Sequence, residues 1–383
     1  MLTVSLIIRS IRNTPYAVLH PSQAVDILSR IAIMAQESKP KMQYVNLGVS
    51  GLKVSKFILG CMSYGDSRWA PWVKNREESL PLLKAAFDAG VNTWDTANMY
   101  SNGVSEEIIG EAIKKYDIPR SQVVIMTKSF FPAAEDQVGT FNGRPELRQH
   151  PRYINRCGLG RRALFEQVDA SLGRLQTDYI DVLQIHRIDD TPFAEVMKAL
   201  HDLVESGKVR YIGASSMWAH ELAQMQAIAE MRGWTKFISM QNEHNLIYRE
   251  EEREMIRFCK KTGVGLVPWG PLAAGALCRP VSQLTSTDRG QGNKDKIKSD
   301  ADTEIINRVE ELAKRKGWTM AQVAFAWSAG VITAPILGLS SEDRLKEFLA
   351  AVDYELTPEE RKYLEEPYKP KPVQGFNQDR TTS

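Results

Sequence analysis

The segment Asn92-Thr-Trp-Asp95-Thr-Ala-Asn-Met-Tyr100 places a carboxylate and a phenol where a short apolar run ends. Three such runs end in a polar residue: Asp95 follows residues 91–94, Lys128 closely follows residues 123–126, and His186 follows residues 181–185. Apolar runs of this length are typical of buried parallel strands, and the reactive residues of such sheets collect at the carboxyl ends of the strands. We therefore expect Asp95, Tyr100, Lys128 and His186 to lie in one site.

Similar runs along the chain predict a sheet of eight parallel strands. They cover residues 57–61, 91–96, 123–127, 179–185, 211–214, 237–241, 264–269 and 334–339. Amphipathic stretches with helical spacing lie between them, among them residues 79–89, 105–115, 163–175, 193–206, 219–231, 250–261 and 303–316. Eight strands separated by helices predict an α/β fold of the (β/α)8 or TIM barrel type, because each crossover covers the sheet from outside. Ahead of them, two short runs around Gly48 and Gly51 predict an N-terminal hairpin.

The composition is that of an ordinary soluble protein, with 383 residues, 43% of them hydrophobic and 25% charged, and a formal net charge of +2. Nothing in this balance indicates a nucleic-acid or membrane partner. The four cysteines, Cys61, Cys157, Cys259 and Cys278, are far apart and lack the spacing of a zinc site, so we predict no metal, no disulfide framework and a reducing compartment. No GxGxxG motif follows the first strand and no GxxxxGK[ST] motif occurs, which argues against a Rossmann site and a P-loop.

We expect one barrel domain over residues 42–375, between an extension of residues 1–41 and a tail of residues 376–383. The extension carries Arg9, Arg12 and several serines but no acidic residue before Asp26, which is typical of a mitochondrial transit peptide. The alternative is that translation begins at Met34 or Met42. We predict a cytoplasmic protein, or a mitochondrial one if the transit peptide is real.

Two long loops, residues 130–159 and 271–302, follow the third and seventh strands. Long loops on the catalytic face of a barrel are usually lids, so we expect both to lie over its mouth. The second loop contains five cations, Arg279, Arg289, Lys294, Lys296 and Lys298. Its alternative interpretation is a solvated, flexible run of charge.

The four polar residues suit the reduction of a carbonyl group, which needs a hydride on carbon and a proton on oxygen. A tyrosine of ordinary pKa near ~10 is a weak acid unless a cation favours its ionised form. We therefore predict Tyr100 as the acid, Lys128 as the cation that tunes it and Asp95 as the anchor of Lys128, while His186 donates to the carbonyl oxygen. Taken singly, Tyr100 and His186 would more often be structural residues, and Arg187 would pair with Asp189 or Asp190.

Four motifs in order carry a family resemblance: Asn92 to Glu106, Ser171-Leu-Gly-Arg-Leu-Gln-Thr-Asp-Tyr-Ile-Asp181 leading to His186, Gly207-Lys-Val-Arg-Tyr-Ile-Gly-Ala-Ser215, and Trp269-Gly-Pro-Leu-Ala-Ala-Gly275. From about Met42 to Gly375 the chain resembles the aldo-keto reductases, and within them the longer members that include fungal aryl-alcohol dehydrogenases and polyketide-pathway reductases. The resemblance implies an NADPH-dependent carbonyl reductase on a (β/α)8 barrel. It gives the same roles to Tyr100, Lys128, Asp95 and His186.

Trp269 offers an aromatic face for a nicotinamide ring, and Ser215 and Gln241 can hydrogen-bond its carboxamide. The resemblance supports these roles and implies that Gly270, Leu272 and Gly275 also bind the cofactor. One departure puts part of the amide contact in doubt, because Ser216 stands where many relatives have asparagine. Without the resemblance, Trp269 would be interpreted as a core residue.

A strand, a turn at Gly338 and a helix start would present backbone amides to a phosphate. Ser340 and Arg344 suit the 2′-phosphate of NADP, since a guanidinium binds phosphate in a bidentate manner. The family pattern implies that Glu347 accepts from the adenine amino group, although Phe348 departs from the asparagine that commonly follows. The alternative is ordinary helix capping by Ser340 or Ser341, with Arg344 on a solvated face.

The substrate is predicted only from loop composition and the resemblance. Met62, Tyr64, Phe130 and Phe131, together with Trp69 and Trp72, follow the first and third strands and would line a pocket for an aryl or polyketide aldehyde or ketone. Trp69 and Trp72 would alternatively pack on neighbouring loops.

Two other functions remain open on this fold, because barrels host many chemistries. One is a cofactor-binding regulatory subunit similar to the potassium-channel β subunits. The other is a barrel dehydratase or isomerase that uses Tyr100 and His186 while NADP is only structural.

Overall fold

The computed structural model describes residues 42–136, 139, 141–287, 297 and 299–376 of the chain. The extension of residues 1–41 and the tail after Phe376 lie outside the described residues. So do four of the five cations of the second long loop, Arg289, Lys294, Lys296 and Lys298.

Two antiparallel strands, β1 (Tyr44–Asn46) and β2 (Lys53–Ser55), form the predicted hairpin. Eight parallel strands follow: β3 (Ile58–Gly60), β4 (Thr93–Asp95), β5 (Val124–Ser129), β6 (Ile180–Ile185), β7 (Val209–Ser215), β8 (Phe237–Gln241), β9 (Gly265–Leu266) and β10 (Ile336–Leu337). From β3 to β9 each strand pairs with the next along the chain, and β10 pairs with β3. All eight predicted strands are present, and β3, β4, β6, β9 and β10 are shorter than predicted.

The sheet closes between β9 and β10 through backbone hydrogen bonds. The amides of Thr333 and Ala334 both donate to the carbonyl of Leu266, over 3.0 and 3.2 Å, and the amide of Ile336 donates to that of Pro268 over 3.0 Å. A closed parallel sheet with helices between its strands is a (β/α)8 barrel, so the predicted fold class is confirmed.

The described residues form ten α-helices. They are α1 (Arg76–Asp88), α2 (Val104–Lys115), α3 (Arg161–Leu175), α4 (Phe193–Glu205), α5 (Ala219–Arg232), α6 (Met255–Thr262), α7 (Asp300–Lys316), α8 (Met320–Ala329), α9 (Glu342–Ala350) and α10 (Pro358–Glu365). The predicted helix over residues 250–261 was wrong at its start, where a 3-10 turn (Glu250–Glu252) comes first. None of these helices is long and apolar enough to cross a membrane.

The hairpin packs across the amino-terminal end of the barrel. Its Leu47 and Val54 are fully buried with strand residues that include Ile58, Val124 and Val267. Gly48 permits this contact because it has a φ of +62° and because a Cβ atom there would lie 2.6 Å from the amide nitrogen of Gly265. With that end closed, the carboxyl end of the barrel is the open one.

Both long loops contribute residues to the open end. The first contains 3-10 turns at Phe141–Gly143 and Pro145–Gln149, and it buries Phe130, Phe131 and Phe141. The second contains 3-10 turns at Ala273–Cys278 and Val281–Gln283. It ends sooner than predicted, because α7 begins at Asp300 rather than after Asp302.

Candidate active site

A cavity of about 910 Å3 opens at the carboxyl ends of the strands. Asp95, Tyr100 and His186 line one part of it, and Ser340 and Arg344 line another. It is large enough for more than one small molecule, since ligand pockets commonly measure about 300–1,000 Å3. The cavity therefore gathers residues from nearly every barrel strand around one space.

Lys128 is the centre of the polar cluster at the catalytic end. Its Nζ donates to Oδ2 of Asp95 over 2.5 Å, to the carbonyl of Thr96 over 2.9 Å and to the hydroxyl of Tyr100 over 3.2 Å. The Lys128 side chain is 1% exposed and that of Asp95 is 4% exposed. A charge pair this deeply buried is held only if its remaining polar atoms are also bonded, which is the case here.

The second oxygen of Asp95 has two amide donors. Gln184 donates to Oδ1 over 3.0 Å, and Gln241 donates to it over 2.9 Å and also to Oε1 of Gln184 over 2.8 Å. The sequence analysis did not assign a role to Gln184. Its position gave a usable signal, because Gln184 lies two residues before His186 on β6 and therefore faces the same side of the sheet.

Tyr100 lies at the start of a 3-10 turn (Tyr100–Gly103) in which two residues have positive φ, Ser101 at 46° and Asn102 at 49°. Both are held by neighbouring loops. Ser101 Oγ accepts from the amide of Asp66 over 3.1 Å, and Asn102 Nδ2 donates to the carbonyl of Asp136 over 2.7 Å. Non-glycine residues in this conformation are unfavourable unless their surroundings fix them, so the turn fixes where the phenol points.

Burial raises the pKa of Tyr100, and the opposing pull of Lys128 reduces this rise without cancelling it. Lys128 thus acts in the predicted direction but does not bring the phenol below its ordinary pKa. Burial alone would lower the pKa of Lys128, but its interactions with Asp95 and Tyr100 outweigh this effect and raise that pKa. At neutral pH the cluster is therefore a protonated phenol beside a charged ammonium–carboxylate pair.

The His186 ring stands nearly perpendicular to that of Tyr100, with centroids 5.9 Å apart, and Phe131 packs on it at 5.7 Å. Burial lowers the pKa of His186 well below its usual range, and the nearby Lys128 and Arg187 lower it further. The imidazole is therefore neutral and carries one N–H donor. Its Nδ1 has no hydrogen-bond partner among the described residues.

Nine of the ten predicted cofactor residues line the cavity: Ser215, Gln241, Trp269, Gly270, Leu272, Gly275, Gly338, Ser340 and Arg344. Ser215 donates its hydroxyl to the carbonyl of Gln241 over 2.6 Å, which leaves its oxygen as an acceptor. Ser216 also lines the cavity, at a φ of +51°. Its amide donates to Oδ1 of Asn242 over 2.7 Å, so the asparagine that follows β8 supports the turn.

Glu347 does not line the cavity. One of its oxygens accepts from Arg344 over 2.6 Å and the other from the hydroxyl of Thr319 over 2.6 Å, so Glu347 holds the guanidinium in place. Ser341 caps helix α9 by accepting from the amide of Arg344, while Ser340 remains at the cavity surface. Arg279 adds a second guanidinium to this part of the cavity. Two cations, a hydroxyl and a helix start fit a phosphate-rich ligand.

The predicted substrate residues divide into two pairs. Met62 and Phe131 line the cavity, as do Trp69 and Trp72. Tyr64 and Phe130 are not among the residues that line the cavity. Tyr64 is 0% exposed and donates its hydroxyl to the carbonyl of Leu339 over 2.8 Å. Phe130 packs edge-on against Phe131 with centroids 4.7 Å apart and does not reach the cavity surface.

Comparisons with known proteins agree with this arrangement. The aldo/keto reductase family profile matches residues 56–369. The chain is 56% identical over 340 residues to the versiconal hemiacetal acetate reductase of Aspergillus parasiticus, a match that covers 87% of this chain and 98% of the relative. It is 50% identical over 368 residues to an aldo-keto reductase of Fusarium vanettenii, covering 92% and 99%. It is 52% identical over 349 residues to a putative aryl-alcohol dehydrogenase of Schizosaccharomyces pombe, covering 87% and 97%.

Proposed function

The chain belongs to the aldo/keto reductase family and is an oxidoreductase, and from this premise we propose that it reduces an aldehyde or ketone to the alcohol with NADPH. Aldo-keto reductases act on small-molecule carbonyl compounds and generally use NAD(P)H. The observation that carries the proposal is the buried contact of Lys128 with both Asp95 and Tyr100.

Tyr100 is the proton donor in this proposal. Its raised pKa keeps the phenol protonated at neutral pH, so a proton is present when the carbonyl oxygen becomes an alkoxide. Lys128 stabilises the phenolate that remains, and Asp95 keeps Lys128 charged and in place. His186 is neutral, so its N–H donates to the carbonyl oxygen without competing for the proton.

The bound NADPH would supply the hydride. Trp269, Ser215 and Gln241 would hold its nicotinamide, and Gly270, Leu272, Gly275 and Gly338 would border the rest of the molecule. Arg344 and Ser340 would hold the 2′-phosphate, and Arg279 adds positive charge nearby. Glu347 contributes by orienting Arg344.

We propose an aromatic or polyketide-derived substrate. Met62, Trp69, Trp72 and Phe131 make the wall near Tyr100 apolar and aromatic, and Trp69 packs on the Tyr100 ring with centroids 6.5 Å apart. The names of two relatives, a versiconal hemiacetal acetate reductase and a putative aryl-alcohol dehydrogenase, agree with such a substrate.

The test is NADPH consumption by the purified protein with matched aromatic and short aliphatic aldehydes, with the product identified by mass spectrometry. We expect the alcohol to form in step with NADPH loss and the aromatic aldehydes to have the higher kcat/KM. Product without NADPH loss would indicate a dehydratase or isomerase. Tight NADPH binding without turnover across the panel would indicate a regulatory subunit.

A further inference from the structure

Arg187 is a half-buried cation without a partner in the cavity wall. It lies directly after His186 and lines the cavity. Among the residues that the structure describes, Arg187 takes part in no hydrogen bond and no ion pair, and its Nη1 is shielded from solvent with no acceptor. Burial lowers the pKa of its guanidinium, although Tyr100 and Glu243 oppose the effect. The side chain is therefore held in a position that is unfavourable for a charged group.

The neighbouring carboxylates do not pair with it. Asp189, one of the two partners that the sequence offered, accepts from the amides of Leu159 over 2.9 Å and Thr191 over 3.0 Å instead. Asp190 is engaged in an interaction of its own. Glu243 also lines the cavity, and its charge raises the pKa of Arg187.

A buried polar group without a partner is uncommon, because desolvation without a compensating bond costs free energy. In a ligand cavity, a hydrogen bond from the guanidinium to an anionic oxygen of the ligand offsets this cost. Arg187 has five N–H donors in a planar fork that suits a carboxylate.

The position of Arg187 indicates that the anionic group belongs to the substrate and not to the cofactor. It is close enough to Tyr100 and His186 to change their pKa values. The backbone at Gly375 is also close, because a Cβ atom there would lie 3.8 Å from Arg187 Nη1 and 3.4 Å from the Trp269 ring. Arg344 and Ser340, which would hold the cofactor phosphates, are supported by α9 and its start instead. The unpaired cation thus belongs to the catalytic end of the cavity.

We propose that Arg187 binds a carboxylate on the substrate, so that the preferred substrates are aromatic carbonyl compounds that carry an acidic group. This specificity role rests on the proposed reductase function. The apolar walls formed by Met62, Trp69 and Phe131 would bind the aromatic body, and Arg187 would hold the acid at the opposite side of the reacting carbonyl. Arg187 takes no part in proton transfer.

The test compares 2-, 3- and 4-carboxybenzaldehyde with their methyl esters, which keep the ring and the aldehyde but lack the charge. For the best acid, we expect Arg187→Met to raise KM by roughly 10- to 100-fold, the usual effect of losing a hydrogen bond to a charged group, while KM for its ester changes less than about threefold. Arg162→Met is the matched control, because Arg162 is exposed and does not line the cavity. It should leave both values unchanged.

Thermal unfolding of the ligand-free protein distinguishes a substrate role from a structural one. Arg187→Met should unfold at the same or a higher temperature, because the variant no longer buries an unpaired charge. A lower unfolding temperature together with equal losses for acid and ester would overturn the proposal. Equal loss of kcat for both at unchanged stability would also overturn it, since Arg187 would then act on the reaction itself. Arg187→Lys should restore part of the preference for the acid.

Failure of the reductase function is separable from failure of this inference. If the wild-type protein reduces no aldehyde, binding of terephthalate and of its dimethyl ester to the NADPH-loaded protein is measured by calorimetry. Preferential binding of the acid that is lost in Arg187→Met would support the carboxylate site without turnover. Equal binding of acid and ester, or binding unaffected by Arg187→Met, would overturn it.

Discussion

Gln241 donates its side-chain amide to Oδ1 of Asp95 over 2.9 Å. Gln241 also lines the cavity where the nicotinamide would lie, whereas Asp95 holds Lys128 through its other oxygen. Gln241 therefore connects the proposed cofactor site, through Asp95 and Lys128, to the proposed proton donor Tyr100. We therefore expect occupation of the proposed cofactor site to affect the orientation of Lys128 through this contact.

Replacing Gln241 should affect both NADPH affinity and kcat, whereas replacing Gln184 should affect kcat alone. Gln241→Leu should weaken NADPH binding and lower kcat, because it removes a cavity contact and one donor to Asp95. Gln184→Leu removes the other donor but does not line the cavity, so it should lower kcat and leave the NADPH Kd nearly unchanged. Fluorescence titration and steady-state kinetics measure the two properties. Equal loss of NADPH affinity in both variants would argue against the division.

Replacing one partner of the Lys128–Asp95 pair should destabilise the fold more than replacing both. Lys128→Met leaves Asp95 buried without its cation, which should destabilise the fold by about 3–5 kcal/mol. The double variant with Asp95→Asn should recover part of this loss, because the remaining amide is neutral and can still bond to Gln184 and Gln241. Thermal unfolding of the two single variants and the double variant tests the coupling. A double variant less stable than Lys128→Met alone would contradict it.

Arg344 should determine the preference for NADPH over NADH. Arg344→Ala removes the guanidinium proposed for the 2′-phosphate, and we expect the Kd of NADPH to rise roughly 10- to 100-fold, as for a lost hydrogen bond to a charged group. NADH lacks this phosphate and serves as the internal control, with a change below about threefold. Equal loss for both cofactors would assign Arg344 a structural role.

Glu251 gives the fold a pH-dependent stability. Burial raises the pKa of Glu251 to about 7. The hydrogen bond from Asn242 lowers this pKa, and repulsion by Glu243 and Glu250 raises it further. A carboxyl whose pKa is raised on folding binds its proton more tightly in the folded state. Its favourable contribution is therefore fully present below its unfolded pKa near 4.5 and is lost as pH rises through about 7.

Glu251→Gln keeps an acceptor for Asn242 but cannot ionise. We expect little change in unfolding temperature near pH 5 and a stabilisation on the order of 2–3 kcal/mol at pH 8 relative to the wild type. Unfolding measured across this range tests the direction. A stabilisation that is constant with pH would show that ionisation of Glu251 is not its cause.

The barrel and the four central site residues could be predicted because they depend on local pattern and simple topology. Asp95 ends β4, Lys128 lies near the carboxyl end of β5 and His186 follows β6. These three strands are neighbours, so their carboxyl ends must meet. Gln184 could have been added from the two-residue period of β6. Helix α8 was harder to predict, because it is buried on nearly all sides and lacks the periodicity of an amphipathic helix.

Side-chain direction in the loops could not be predicted from the sequence. Tyr64 follows the short 3-10 turn (Cys61–Ser63) after β3 and points into the core, while Trp69 and Trp72 of the same loop reach the cavity. Phe130 and Phe131 are adjacent, and only one of them can face the ligand. The unpaired state of Arg187 also depends on tertiary structure, because Asp189 bonds to backbone amides instead.

The most direct test of the central claim is single-turnover NADPH oxidation by Tyr100→Phe, followed by absorbance with the best aldehyde of the panel. The variant keeps the ring that packs on Trp69 and His186 but has no proton to donate. We expect the rate to fall at least about a hundredfold, the usual contribution of a general acid, with an unchanged NADPH Kd. A variant that retains the wild-type rate would contradict the assignment of Tyr100 as the proton donor.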